Sequence, residues 1–266
     1  MKLEILEHLP ERESKENPLL FIHGANHGAW CWKENFLPYF CALGYPSYAV
    51  SLRGHGKSEG RDQLNTFSLS DYLEDILEVM ASFRDKPVLV GHSMGGALVQ
   101  KILHLSPEKM KAAVLMASVP PNGMLRDVWR LRLVNIREVI QINLFKDARV
   151  RASYTARLFF SEELPVEKRV ALLKLLQPES ARVRKELLGR IVPGPISPVV
   201  PVLVLGSGKD SLFPEKTTLY TGKAFKTMPV IFPQGSHDMM LDPQWRSVAE
   251  EIVAFLQLIS KGDQGK

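Results

Sequence analysis

The serine of the segment GHSMG, Ser93, is the first candidate for chemistry in this sequence. An apolar run, Val88–Val90, precedes it, and a helical pattern, Gly96–Leu105, follows it. A G-x-S-x-G segment between a strand and a helix holds its serine on a sharp turn that needs small residues two positions to either side. The start of the following helix favours developing negative charge. We therefore predict that Ser93 is a nucleophile.

A serine hydroxyl is protonated at neutral pH, so this nucleophile needs a base. His237 lies in the loop PQGSHDMM after the last apolar run, and Asp210 lies in the loop GSGKDSLFP after the run VLVL. Both loops follow predicted parallel strands, and catalytic groups gather at that edge of an open sheet. We predict that His237 is the base and that Asp210 orients it. Asp238 and Asp242 are nearer in sequence, but such neighbours seldom reach the Nδ1 atom of the ring.

Acyl transfer also requires two backbone N–H groups to bind the oxyanion of the tetrahedral intermediate. The predicted donors are Met94, directly after the serine, and Ala25, in the loop GANHGAW after the first buried run. His27 in that loop is a predicted substrate contact, with a loop-packing role as the alternative. His92, beside the nucleophile, is expected to pack or to form hydrogen bonds.

Short apolar runs alternate with helical patterns along most of the chain. The runs LLFIH, YAVSL, VLV, AAVLMA, VLVL and PVIF are typical of parallel strands that are buried on both faces. The segment Ser68–Phe83 starts with capping residues and repeats its apolar residues at helical spacing, and Trp245–Leu258 has a similar pattern. The alternation predicts an α/β fold with a mostly parallel, doubly wound sheet.

The alternation stops between residues 121 and 198, where helical patterns such as VEKRVALLKLL occur and prolines mark both ends. We predict a core of residues 1–120 and 199–266, with a helical cap of residues 121–198 inserted after the sixth strand. Trp129 and Leu133 are the predicted substrate contacts of the cap. They belong to a set of apolar cap residues that also includes Ile136, Ile140, Leu144 and Phe145.

The charge of the chain is unevenly distributed. The net charge is +5, and residues 126–190 contain 15 Lys and Arg against 8 Asp and Glu. This basic segment could contact an anionic substrate or, weakly, a membrane surface, or it could be an ordinary solvated surface. No nucleic-acid motif, leader-like N-terminus or membrane-length apolar run is evident. Cys31 and Cys41 lack metal-ligand spacing, so we expect a cytoplasmic protein without a metal; the oligomeric state is open.

The motifs HGANHGAW, RGHGKS, GHSMGG, GSGKD and GSHD resemble those of the α/β-hydrolase superfamily, in particular its serine carboxylesterases and lysophospholipase-like members. The oxyanion loop is similar to that of plant methylesterases and hydroxynitrile lyases, whereas RGHGKS resembles bacterial esterases. The resemblance implies an α/β-hydrolase fold, the triad Ser93–Asp210–His237, a loop-shaping role for His23 and no cofactor. Ala25 stands where the lyases have a hydroxyl-bearing residue, which tells against lyase activity.

Together these features predict a serine esterase that cleaves small to medium carboxylic esters through an acyl-enzyme on Ser93. The predicted partner is a small-molecule ester. Three alternatives stay open: a lipase or lysophospholipase at membrane surfaces, an acyltransferase or C–C bond hydrolase, and a low-turnover ligand receptor with this fold.

Overall fold

The computed structural model describes residues 1–14, 16–144, 146, 148–194 and 196–264. In these ranges seven strands form one sheet with the order β1-β3-β2-β4-β5-β6-β7. Only β1 is antiparallel to its neighbour, and the other pairs are parallel. The predicted mostly parallel sheet is therefore confirmed. The strands are β1 Glu4–His8, β2 Leu19–Ile22, β3 Ser47–Ser51, β4 Val88–His92, β5 Ala112–Met116, β6 Val202–Ser207 and β7 Val230–Phe232.

The helices cover both faces of the sheet. Every residue of β2, β4, β5 and β6 is buried, which explains why these strands read as continuous apolar runs in the sequence. The helices are α1 Trp30–Lys33, α2 Phe36–Ala42, α3 Leu69–Ala81, α4 Met94–Leu105, α5 Leu125–Val134, α6 Ile136–Leu144, α7 Ala148–Phe159, α8 Val166–Leu175, α9 Ala181–Glu186, α10 Glu215–Ala224 and α11 Trp245–Gln264.

The two apolar cores lie on opposite faces of the sheet. Phe21 of β2 packs with the aromatic rings of α1 and α2 in one core, which α11 completes. Leu20 and Ile22, its neighbours in the strand, point into the other core with α3 and α4. This alternation follows from the two-residue repeat of a strand. Ser68 caps α3 as predicted, because its hydroxyl accepts from the backbone N–H of Asp71.

The segment of residues 121–198, called the cap segment below, contains α5 to α9 and no strand within its described residues. It follows the fifth strand, so its predicted place after the sixth strand is wrong. The prediction counted one strand too many before the cap segment. Only β1 precedes β2, because the interval between these two strands is polar and contains Pro10 and Pro18. The division into core and cap domains stays a prediction.

The cap segment is tied to the loops at the carboxyl edge of the sheet. The side-chain amide of Asn26 donates to the carbonyl of Gln177 at 2.8 Å, and the backbone N–H of Gln177 donates to the carbonyl of Asn26 at 3.0 Å. His55 contacts Glu179 at 3.1 Å. None of the helices in the described ranges combines the length and the apolar character that a membrane crossing requires.

Candidate active site

Ser93 lies on the sharp turn between β4 and α4. Its backbone has φ 52° and ψ −113°, a strained conformation for a residue with a side chain. A Cβ atom on Gly91 would lie 2.5 Å from the carbonyl oxygen of Gly95, and one on Gly95 would lie 2.3 Å from that of Ile22. Both glycines of GHSMG are therefore required for the chain to pass here. The N–H of Ser93 donates to Met116 of the neighbouring strand, which fixes the turn.

His237 and Asp210 form a buried pair at the same edge of the sheet. The Nδ1 atom of His237 contacts a carboxylate oxygen of Asp210 at 2.7 Å. The other oxygen of Asp210 accepts the backbone N–H groups of Leu212 and Phe213 at 2.7 and 2.9 Å, which fixes the carboxylate. Because Nδ1 donates to the carboxylate, the lone pair of the neutral ring lies on Nε2. That atom is buried and has no hydrogen-bond partner among the described residues.

The surroundings of His237 favour its protonated form. Burial has the largest influence and opposes the charge, but the charge and hydrogen bond of Asp210, together with the charge of Asp238, outweigh it. The pKa of His237 is therefore raised above its ordinary value of 6.5. A pKa above this value suits a general base that must accept a proton near neutral pH.

A second buried pair, His27 with Asp238, lies beside the first. The Nε2 atom of His27 contacts Asp238 at 2.8 Å, and its Nδ1 atom contacts the carbonyl of Ala25 at 2.8 Å. Each ring nitrogen of His27 therefore has an oxygen partner. Burial, with the charge of His237 next, lowers the pKa of His92 to about 3. Neutral His92 donates through Nε2 to the carbonyl of His237 at 3.0 Å.

The loop after β2 approaches the serine closely. A Cβ atom on Gly24 would lie 2.9 Å from both Nδ1 of His92 and Cβ of Ser93, so the loop passes only because this residue is glycine. His23 shapes the loop: its Nδ1 atom contacts the carbonyl of Gly24 at 2.8 Å, and its Nε2 atom accepts the N–H of Leu52 at 3.1 Å.

Ala25 and Met94 lie beside Ser93 in the wall of one cavity. Among the described residues no acceptor is bound to the backbone N–H of either residue. Two unpaired amides next to a serine are the arrangement that an oxyanion site needs. The structure thus brings together the serine and both predicted oxyanion donors.

The cavity has a volume of about 540 Å³ and is mostly apolar. Phe159 and Phe213 line it and also contact the ring of His237, with ring centroids 5.8 and 5.6 Å apart. Ser93 itself is 8% exposed. The rest of the wall comes from Asn26, Val119, Met124, Val128, Arg132, Leu158, Arg184, Lys185, Leu187, Leu188 and Leu212.

The three predicted substrate contacts do not line this cavity. Trp129 and Leu133 are 56% and 69% exposed, because the cavity side of α5 carries Val128 and Arg132 instead. Each predicted residue follows a lining residue by one position, which turns it about 100° around the helix. His27 is buried against Asp238, so the loop-packing alternative describes it correctly. Of the other predicted cap residues, Phe145 and the side chain of Leu144 lie outside the described residues, and the cavity wall includes neither Ile136 nor Ile140.

One group of metal-ligand side chains occurs in the described ranges: His92, His237 and Asp238 offer atoms within 4.8 Å of one another. Hydrogen bonds account for most of these groups, since Nε2 of His92 donates to a carbonyl and Nδ1 of His237 contacts Asp210. We therefore interpret the group as part of the hydrogen-bonded framework around His237.

Comparison with known proteins agrees with this geometry. Residues 19–251 match the model of the alpha/beta hydrolase family. The chain belongs to that family. Norfluorocurarine synthase 2 of Strychnos sp is 36% identical over 114 residues, 42% of either chain. Methyl jasmonate esterase 1 of Vitis vinifera is 35% identical over 113 residues, 41% of this chain and 42% of that protein. Each alignment thus spans about two fifths of the relative.

Solved structures extend the likeness to the whole fold. An esterase from Exiguobacterium antarcticum superposes with a TM-score of 0.76, covering 96% of this chain and 95% of that one. Its sequence identity of 18% shows the fold alone. For this member of the alpha/beta hydrolase family, sequence reasoning missed the cavity residues Arg132, Arg184 and Lys185. The local excess of positive charge was their only signal in the sequence.

Proposed function

We propose that the protein hydrolyses carboxylic esters of small to medium acyl or alkyl groups, with Ser93 as nucleophile. The observation that carries this proposal is the buried imidazole of His237, whose Nδ1 atom is held by Asp210 while its Nε2 atom has no partner in the described ranges. Such a ring can take the serine proton. The name of the methyl jasmonate esterase relative supports an ester substrate and suggests a small alkyl group.

The proposed reaction uses only groups of this chain and water. His237 accepts the Ser93 proton as the serine oxygen attacks the ester carbonyl, and the amides of Ala25 and Met94 bind the oxyanion. The imidazolium then gives its proton to the departing alcohol, which leaves an acyl group on Ser93. His237 then deprotonates a water molecule, which attacks the acyl carbonyl. The Ser93 oxygen leaves with the proton that His237 returns to it, and the acid is released. Asp210 stabilises the imidazolium in both halves.

The test is the hydrolysis of p-nitrophenyl esters from acetate to palmitate by the wild type and Ser93→Ala. We expect turnover by the wild type and a loss of about a thousandfold or more in the variant. Ser70→Ala removes an exposed hydroxyl from α3 and serves as the matched control, with unchanged rates expected. Equal rates in the wild type and Ser93→Ala, or none in either, would exclude this function.

A second candidate is a lipase or lysophospholipase that works at a membrane surface. It is favoured by a group of exposed apolar residues on α5 and α6 beside basic residues: Trp129, Leu133, Val134, Ile136 and Ile140. Apolar side chains flanked by arginine suit the surface of an anionic bilayer. Activation by anionic vesicles, absent with neutral vesicles and suppressed by salt, would support this candidate over the first.

A cytoplasmic location is part of the proposal. The two cysteines, Cys31 and Cys41, are both free. This supports the proposal, because disulfides are common in oxidising compartments and rare in the cytoplasm. Fractionation of the source cells, with the protein detected by antibody, tests it; recovery outside the cytoplasmic fraction would contradict it.

A further inference from the structure

Three positively charged side chains share the wall of the cavity that contains Ser93. Arg132 comes from α5, and Arg184 and Lys185 come from α9. No carboxylate lines this cavity within the described ranges. Like charges gathered in one concave wall repel each other, and they attract an anion that enters it. The cavity wall therefore combines apolar side chains with three positive charges.

The Ser93 cavity differs from the adjacent cleft in the signs of the charges in its wall. Elsewhere on the cap segment, Arg157 contacts Glu138 at 2.9 Å and Arg182 contacts Glu186 at 3.1 Å. The adjacent cleft also mixes both signs, since its wall includes Arg157 and Lys209 together with Glu162 and Glu163. By contrast, no ion pair within the described part of the chain involves the three cations of the Ser93 cavity. The guanidinium group of Arg132 lies 5.9 Å from the centroid of the Trp129 ring.

The three cations lie toward the solvent end of the cavity. All three residues are exposed, whereas Ser93, Met94 and Phe213 are buried. The wall also contains apolar side chains, among them Val128, Leu158 and Leu188. A molecule whose ester carbonyl reached Ser93 would thus extend past an apolar wall before meeting the positive charges.

We propose that the preferred substrate is an ester that carries an anionic group, a carboxylate or a phosphate, at the end remote from the scissile bond. Arg132, Arg184 and Lys185 bind that group, and the apolar wall contacts the spacer between the group and the ester. This inference rests on the proposed ester hydrolysis and narrows its substrate class. Guanidinium groups suit either anion because their N–H donors match its oxygens.

The test compares two p-nitrophenyl esters with the same six-carbon diacid chain: the adipate monoester with a free carboxylate, and its neutral methyl ester. The quantity measured is the ratio of kcat/KM for the anionic ester to that for the neutral one. We expect the wild type to prefer the anionic ester. The combined variant Arg132→Gln, Arg184→Gln, Lys185→Gln should lower this ratio about tenfold or more.

A matched control separates contact from the general field of the cap segment. The combined variant Arg137→Gln, Arg151→Gln, Lys174→Gln removes the same charge from exposed positions outside the cavity. It should leave the ratio within about twofold of wild type, since these exposed charges do not line the cavity and solvent and salt screen them. A wild type that does not prefer the anionic ester, or an equal loss in both combined variants, would overturn the proposal.

Binding without turnover keeps this inference distinct from the proposed function. Monomethyl adipate and dimethyl adipate are titrated calorimetrically into Ser93→Ala, alone and combined with the three cavity substitutions. The anion site is supported if Ser93→Ala binds monomethyl adipate but not dimethyl adipate, and if the three cavity substitutions abolish that binding. This result would stand even if the protein cleaved no ester. Equal binding of both compounds, or none, overturns it whatever the fate of ester hydrolysis.

The source of the anion is separated by a vesicle experiment. If the anion is the phosphate of a lipid headgroup, the protein should bind phosphatidylglycerol vesicles in a salt-sensitive way and should also prefer the anionic adipate ester. The cavity substitutions should reduce both. Vesicle binding that depends on the three cations without any preference for the soluble anion would overturn the proposal, because the cations would then serve membrane attachment.

Discussion

Two buried histidine–carboxylate pairs lie side by side in this protein and differ in the bonding of the second ring nitrogen. His237 contacts Asp210 at 2.7 Å, and His27 contacts Asp238 at 2.8 Å. The second ring nitrogen of His27 is bound to a carbonyl, whereas that of His237 has no partner in the described ranges. The pair itself therefore does not make a base. A base requires a second nitrogen that is left free beside a nucleophile.

His55 and Glu179 belong with the structural pair. The ring contacts Glu179 at 3.1 Å through Nε2 and the carbonyl of Arg53 at 3.1 Å through Nδ1, so both nitrogens are engaged. Glu179 also accepts the hydroxyl of Tyr72 and the N–H of Ser180, both at 2.7 Å. A histidine–carboxylate contact like that of His237 with Asp210 here links the cap segment to the core.

The largest expected effect comes from replacing Asp210 and Asp238 by asparagine in two separate variants. Asp210→Asn should lower kcat by about 10³- to 10⁴-fold, because the amide no longer stabilises the imidazolium or its correct tautomer. Asp238→Asn should lower kcat less than about tenfold, since its partner His27 does not take part in the reaction. Steady-state hydrolysis of p-nitrophenyl butyrate measures both, and equal losses would remove the distinction between the pairs.

A stability measurement sharpens the structural side of the comparison. Glu179→Ala leaves His55, Tyr72 and Ser180 without their acceptor, so we expect the free energy of unfolding in urea to fall by about 3 to 5 kcal/mol. Glu163→Ala is the matched control. Its partner Lys209 is 3.6 Å away on the surface, so the loss should be below about 1 kcal/mol. Similar losses in both variants would contradict the role of Glu179.

The same pair predicts a dependence of stability on pH. Burial opposes the charge of Glu179, but the hydrogen bond and charge of His55 outweigh it and hold the pKa of the carboxyl below its ordinary value of 4.5. Its contribution is therefore present above pH 4.5 and is lost as the pH falls through the lower, folded-state pKa. The stability difference between wild type and Glu179→Ala should shrink over that acid range; a constant difference would contradict this linkage.

The smallest expected effect is a shift in the pH profile. The charge of Asp238 helps to raise the pKa of His237, so Asp238→Asn should lower that pKa. Because the reaction needs neutral His237, the acid limb of kcat/KM should move to lower pH. Glu163→Gln, which removes an exposed charge, should leave the limb in place. A shift toward higher pH in Asp238→Asn would show that the two pairs are not coupled in this way.

Chain order and strand ends were enough to predict the placement of Ser93, Asp210 and His237 at one edge of the sheet. Those positions depend on local turns, which can be recognised from short sequence motifs. The cap contacts were beyond such reasoning, since Trp129 and Val128 differ by one step of helix rotation and only packing decides which faces the cavity. The partner of His27 is likewise hidden, because it lies more than two hundred residues away in the chain.

Labelling with a fluorophosphonate tests most directly that the free nitrogen of His237 makes Ser93 a nucleophile. The reagent bonds to an activated serine oxygen and releases fluoride. Peptide mass spectrometry should find one adduct per chain, on Ser93, with a rate that falls at least about a hundredfold in His237→Gln and less than about fivefold in His27→Gln. An adduct elsewhere, no adduct, or equal rates in the two histidine variants would contradict the distinction between a basic and a structural pair.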